Sequence, residues 1–97
     1  MKPEEPRREL LERGAVAVGL RWAEEQRLQL HREGRPAAGG WPGTLREARL
    51  RTQRFFTAEM RRHKMSAMTE AEREAVARAA YASARATWCS RAEPESP

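Results

Sequence analysis

The residue types that carry most enzymatic and metal chemistry are scarce in this sequence and far apart. His31, His63 and Cys89 are its only histidines and its only cysteine, and aspartate is absent. An Asp-containing triad is therefore excluded, and neither a Gly-x-Ser-x-Gly nucleophile elbow nor a Walker phosphate-binding loop occurs. A zinc site would need all three residues plus a glutamate, without the closely spaced ligand pair typical of such sites. We predict no catalytic, cofactor-binding or metal site and expect a protein that is not an enzyme.

Arginine is the abundant side chain that could bind a ligand. Of the 19 basic residues 17 are arginine, all 14 acidic residues are glutamate, and the net charge is +5. Basic residues on one helical side can neutralise several phosphates. The candidate phosphate contacts on the second predicted helix are Arg46, Arg51, Arg54, Arg61, Arg62 and Lys64. Heavy use of Ala, Arg, Gly and Pro also fits a GC-rich coding background, so a merely solvated basic face is the alternative.

The clearest element that could position such residues is a helix predicted over residues 70–91. Thr69 and Glu72 have the spacing of a capping box, and alanine, the best helix former, fills most of the interior. No Gly or Pro interrupts the helix before Pro94. This helix carries two apolar stripes at helical spacing. The first stripe is Ala77, Tyr81, Ala84 and Trp88, and the second is Ala75, Ala79, Ala82, Ala86 and Cys89.

Two interpretations of these stripes remain open. Both can pack inside the chain's own bundle, or one can bind a second chain. The ring-bearing stripe suits a seam with another helix, and the small residues permit close backbone approach. The candidate partner interface is Tyr81, Trp88, Trp41, Ala75, Ala79, Ala82 and Ala86.

Two further helices are predicted, over residues 6–32 and 45–64, from apolar residues that recur at helical spacing. The first is apolar nearly all round between residues 15 and 23, which we expect to be its most buried part. Gly14 and Gly19 would let another helix come close. In the second helix, Thr44 and Glu47 form another capping box.

A Gly/Pro-rich loop separates the first two helices and contains Trp41. This ring either folds back over the core, as the usual burial of tryptophan suggests, or is exposed as a binding anchor. The predicted fold is therefore all-α, a small bundle of about three helices. We expect a disordered leader at 1–5, a single helical domain at 6–91 and a disordered tail at 92–97.

The supply of bulky aliphatic side chains is thin. Leu, Val and Phe together number twelve of 97 residues and isoleucine is absent, a share below the roughly 20% at which disorder becomes a concern. Another protein or self-association would supply the missing burial. The longest apolar stretch, residues 14–20, is too short to cross a bilayer, and the N-terminus lacks a signal-peptide core, so we expect no membrane association and a cytoplasmic location.

The predicted function is that of a small regulatory interaction module, such as an adaptor, an inhibitor or a small subunit of a larger assembly. The alternative is a nucleic-acid-binding module that contacts phosphates without strong sequence specificity. In that case the second helix would be the contact surface, because the third begins with Glu70, Glu72 and Glu74, which phosphates would repel.

Overall fold

Three α-helices build the computed structural model, which describes residues 4–35 and 39–92. Helix α1 spans Glu4–Arg32, α2 spans Leu45–Arg62 and α3 spans Glu70–Ala92, and no strand occurs in these ranges. The N-terminal turns of α1 and α3 meet, and so do their C-terminal turns, so these two helices run parallel. Helix α2 runs antiparallel to both. The prediction of an all-α bundle of about three helices is confirmed.

The helix ends differ slightly from the predicted ones. Helix α1 begins at Glu4, inside the predicted leader, and Pro6 is tolerated in its first turn. Helix α2 ends at Arg62, just before Lys64 takes a left-handed φ of 55°. Helix α3 extends to Ala92, the first residue of the predicted tail. The rest of the predicted leader and tail, 1–3 and 93–97, lies outside the described residues.

Both predicted capping boxes are present. The backbone N–H of Glu47 donates to the Thr44 hydroxyl at 3.1 Å, and the Glu47 carboxylate accepts from the Thr44 N–H at 3.2 Å. The Thr69 and Glu72 pair repeats this arrangement at 3.1 and 2.9 Å. Each box satisfies two backbone donors that would otherwise lack a partner, and so fixes where α2 and α3 begin.

Helices α1 and α3 approach each other through very small residues. A Cβ atom at Gly19 would lie 2.5 Å from the carbonyl oxygen of Ala80 and 2.6 Å from the Cβ of Ser83. The Ser83 hydroxyl donates a hydrogen bond across the contact to the carbonyl oxygen of Val16 at 3.1 Å. The close helix approach that Gly19 predicted is confirmed.

The hydrophobic core is divided into two clusters along an elongated molecule of 49 × 26 × 20 Å. The first cluster lies near the start of α1. It comprises Leu11, Ala15, Phe56, Met60, Met68 and Val76. The two halves of α1 therefore pack against different sets of partners.

The second cluster is aromatic and depends on the loop before α2. Trp22 is fully buried, with its ring centroid 4.8 Å from that of Trp41, which is in turn 5.5 Å from Trp88. The Trp88 indole N–H donates to the carbonyl oxygen of Gly39 at 3.1 Å, which fastens the loop to α3. Trp41 therefore covers the core, as one of the two alternatives predicted. These rings fill much of the core volume that the few leucine, valine and phenylalanine residues leave open.

The middle of α1 is less buried than predicted. Val18, Trp22 and Ala23 lie in the core, but Val16 is 48% and Leu20 is 42% exposed. Two residues along a helix are separated by about 200° around its axis, so Val16 and Val18 lie on nearly opposite sides. Helices α2 and α3 cover only part of the circumference of α1, and Val16 and Leu20 fall on the uncovered part.

We expect Gly19→Ala to destabilise the protein by about 1–2 kcal/mol, although alanine normally favours a helix interior over glycine by about 1 kcal/mol. The added methyl group meets the backbone oxygen of Ala80, so the helices must separate. Urea unfolding followed by circular dichroism measures the change. Gly40→Ala is the control, because a Cβ there meets no atom within 4 Å. Equal or greater stability of Gly19→Ala would contradict the close packing.

Candidate functional site

One face of α3 remains uncovered by the rest of the bundle. The side of α3 that packs against α1 and α2 buries Val76, Ala77, Ala80, Ala84 and Trp88. The second predicted stripe lies on the opposite side and is exposed. Its exposed members are Ala75, Ala79, Ala82, Ala86 and Cys89. These alanine side chains offer apolar surface without a hydrogen-bonding group.

The exposed alanines of α3 flank the point at which Ser83 bonds to the backbone of α1, near two exposed aliphatic residues. Ser83 bonds to the backbone of Val16, and Ala79 and Ala86 lie one turn before and one turn after Ser83 on α3. Leu20 follows Val16 by one turn. We call the combined surface the outer apolar face. It consists of Val16, Leu20, Ala75, Ala79, Ala82 and Ala86.

The three rings of the predicted interface face inward instead. Trp88 is 1% exposed, and Trp41 and Tyr81 are partly buried against the aromatic cluster. The centroid of the Tyr81 ring lies 6.5 Å from that of Trp22. Trp88 therefore offers no surface to a partner in this fold, because its ring is needed to complete the core. The alanines are the part of the predicted interface that is accessible.

The six predicted phosphate contacts fall into two groups. Arg51 donates to the Glu25 carboxylate at 2.7 Å with its guanidinium 5.3 Å from the Trp22 ring centroid, and Arg62 lies 3.6 Å from Glu59. The remaining four are exposed and have no ion-pair partner within 4–35 and 39–92. These four are Arg46, Arg54, Arg61 and Lys64. This second group is the more available to an external anion, because its charges are not already paired within those ranges.

A groove of about 650 Å³ runs between α1 and α2, and we call it the α1–α2 groove. Its apolar part includes Val18, Leu50 and Phe55, and Leu50 is 52% exposed. Its charged lining comprises Arg21, Glu25, Glu47, Arg51 and Arg54. The volume lies within the range of ligand-binding clefts, roughly 300–1,000 Å³. Apolar surface ringed by charge can hold an amphipathic ligand.

Arg7 ties the first turn of α1 to the start of α3. Its guanidinium donates two hydrogen bonds of 2.8 Å to the Glu72 carboxylate, and others to the carbonyl oxygens of Ser66 and Ala67 at 3.0 and 3.1 Å. The hydrogen bond from Arg7 lowers the pKa of Glu72 from 4.5 to about 2. Partial burial opposes this shift, and the backbone N–H of Thr69 adds to it. This ion pair flanks the outer apolar face and fixes the helix ends there.

The three residues considered for zinc lie on three different elements. His31 is exposed in the last turn of α1, His63 caps the end of α2 with its Nε2 3.4 Å from Glu59, and Cys89 is exposed on α3. In the described part of the chain, no three His, Cys, Asp or Glu side chains gather into a metal-binding group. No helix in these ranges is both long and apolar enough to cross a membrane.

Part of these surfaces could not be predicted from the sequence. Val16 and Leu20 belonged to a segment expected to be buried. Leu50 is an apolar residue on the arginine-rich side of α2, and this position in the sequence already indicated that it would be exposed. The Arg7 and Glu72 pair joins residues far apart in sequence and left no signal, because charged residues are common on every helix of this chain.

The comparisons with known proteins give no further guide to the site. No protein-family model, no curated protein and no solved structure matches this chain.

We expect Glu72→Gln to lower the free energy of unfolding at pH 7 by about 1–2 kcal/mol, after allowance for the 25% exposure of the carboxylate. Glutamine keeps the capping acceptor and removes the charge. Because folding lowers the pKa of Glu72 to about 2, its contribution is present above pH 4.5 and is lost as the pH falls toward 2. The stability difference between wild type and variant should therefore shrink in acid.

Urea unfolding at pH 7 and pH 3 measures this effect. The matched control is Glu9→Gln, because Glu9 forms an equally short but exposed ion pair with Arg13 at 2.8 Å. Glu9→Gln should leave the free energy of unfolding almost unchanged at both pH values. A Glu72→Gln difference that does not depend on pH would contradict the assigned role of this ion pair.

Proposed function

We propose that this protein is a small, non-catalytic interaction module that docks through a helix face, as an adaptor, an inhibitor or a small subunit of a larger assembly. The outer apolar face is the single observation that carries the proposal. It stays exposed although the core is complete without it, and exposed apolar surface of this kind marks interaction sites. A cytoplasmic and regulatory role belongs to the same proposal.

A second copy of the chain is the partner that fits the outer apolar face. A flat surface of alanines pairs well with another flat surface, and a two-fold dimer joins the same patch on both subunits. Antiparallel pairing of two α3 helices also opposes their helix dipoles, which favours such a pair.

Sedimentation equilibrium tests self-docking through the substitution Ala82→Glu. We expect a concentration-dependent dimer for the wild type, weakened at least about tenfold by Ala82→Glu because a charge would enter an apolar interface. Ala58→Glu is the matched control, since Ala58 is an exposed alanine on α2, and its dimerisation should change less than about threefold.

A wild-type chain that stays monomeric at every concentration would contradict docking of a second copy. Equal weakening by Ala82→Glu and Ala58→Glu would contradict the outer apolar face as the docking surface. Circular dichroism of both variants confirms that the helices remain folded.

Nucleic-acid binding is the second candidate, and one observation favours it. Arg46, Arg54 and Arg61 are exposed on α2 without an ion-pair partner among the described residues, in a chain of net charge +5. Such contacts would act on phosphates and not on base edges, so binding would be non-specific and would weaken steeply with salt.

The double charge reversal Arg54→Glu and Arg61→Glu tests this candidate. If the basic face binds phosphates, the variant should bind labelled single- or double-stranded DNA more weakly, with a salt slope reduced by about 0.7–0.9 per lost contact. Fluorescence anisotropy across a salt series measures both quantities. Arg13→Glu with Arg78→Glu changes the net charge equally on the other helices and is the control. If the wild type does not bind DNA at low salt, nucleic-acid binding is rejected as a function of this protein.

A further inference from the structure

We propose that the α1–α2 groove binds an amphipathic helix of a partner protein, with the apolar side of that helix on Leu50 and its acidic residues on Arg21 and Arg54. This inference rests on the proposed interaction function and adds a second docking surface with a partner of defined chemistry. The two surfaces lie on different helix pairs, so each can be tested without the other.

The floor of the groove is apolar and incompletely covered. Val18 is buried, Phe55 is partly buried, and Leu50 is 52% exposed. The Phe55 ring is held against Phe56 at a centroid distance of 5.0 Å, so the floor is anchored to the core. An apolar side chain that enters here would cover Leu50 and contact Phe55.

The charged residues around this floor leave two arginines unpaired among the described residues, so the groove offers a positive charge to a ligand. Glu25 is bonded to Arg51 at 2.7 Å, and Glu47 accepts the backbone and hydroxyl hydrogen bonds of Thr44 in the α2 capping box. Both carboxylates are therefore engaged within the protein. Arg21 and Arg54 also line the groove and have no ion-pair partner in the part of the chain that the structure describes.

An acidic amphipathic helix satisfies both features at once. Helix-in-groove recognition places apolar anchors at i, i+3, i+4 and i+7 on a hydrophobic floor. Glutamates beside those anchors would meet Arg21 and Arg54, which provides charge complementarity across the groove. A nucleic acid would contact the arginines but would leave Leu50 exposed. The contribution of Leu50 to binding therefore distinguishes a helical peptide from a nucleic acid.

The test uses a synthetic peptide with leucines at i, i+3, i+4 and i+7 and glutamates elsewhere, measured by fluorescence anisotropy with the full chain. A scrambled peptide of the same composition, in which leucine and glutamate no longer segregate, is the ligand control. We expect the amphipathic peptide to bind and the scrambled one to bind at least about fivefold more weakly.

Matched substitutions place the binding in the groove. Leu50→Gln and Arg54→Gln should each weaken peptide binding at least about fivefold. Leu28→Gln and Arg61→Gln should change it less than about twofold, because Leu28 is equally exposed and Arg61 shares α2, but neither lines the groove. Circular dichroism of all four variants verifies the fold.

Three outcomes would overturn the inference. The first is equal binding of the amphipathic and the scrambled peptide. The second is an equal loss of peptide affinity in Arg54→Gln and Arg61→Gln, with no loss in Leu50→Gln. The third is a loss of peptide binding in Ala82→Glu but not in the groove variants. The second outcome would indicate a polyanion surface. The third would leave the proposed interaction function intact and assign peptide binding to the outer apolar face.

Discussion

The close contact between α1 and α3 at Gly19 determines how the rest of this bundle is arranged. Because a hydrogen atom is all that fits against the Ala80 carbonyl oxygen, the two helices run side by side over most of their length. One end of this pair is fixed by the bond between Arg7 and Glu72, and the other by the tryptophan cluster. Helix α2 then closes the core from one side only.

This arrangement explains which surfaces stay exposed. Helix α3 turns Val76, Ala80 and Trp88 inward, so the alanines on its other side stay exposed. The core is completed by large rings, which pack into a narrow bundle without the missing aliphatic residues. The apolar surface left outside is the property on which the proposed docking function rests.

Much of the fold could be predicted from local sequence. The capping boxes at Thr44 and Thr69 fixed two helix starts, because their geometry depends on residues three apart. The surfaces were harder, because periodicity identifies apolar stripes without saying which one meets a neighbour. Trp88 and Ala82 lie on different stripes of one helix, and only the position of α1 decides that the ring is buried and the alanine exposed.

The most direct measurement is the effect of a soluble paramagnetic agent on the alanine methyl signals of the protein across a dilution series. In dilute solution, we expect strong broadening for the exposed set and little for the buried set. The exposed set is Ala75, Ala79, Ala82 and Ala86, and the buried set is Ala77, Ala80 and Ala84. The broadening of the exposed set should fall as concentration rises and copies pair. Equal broadening of both sets, or an exposed set that stays equally broadened at every concentration, would contradict it.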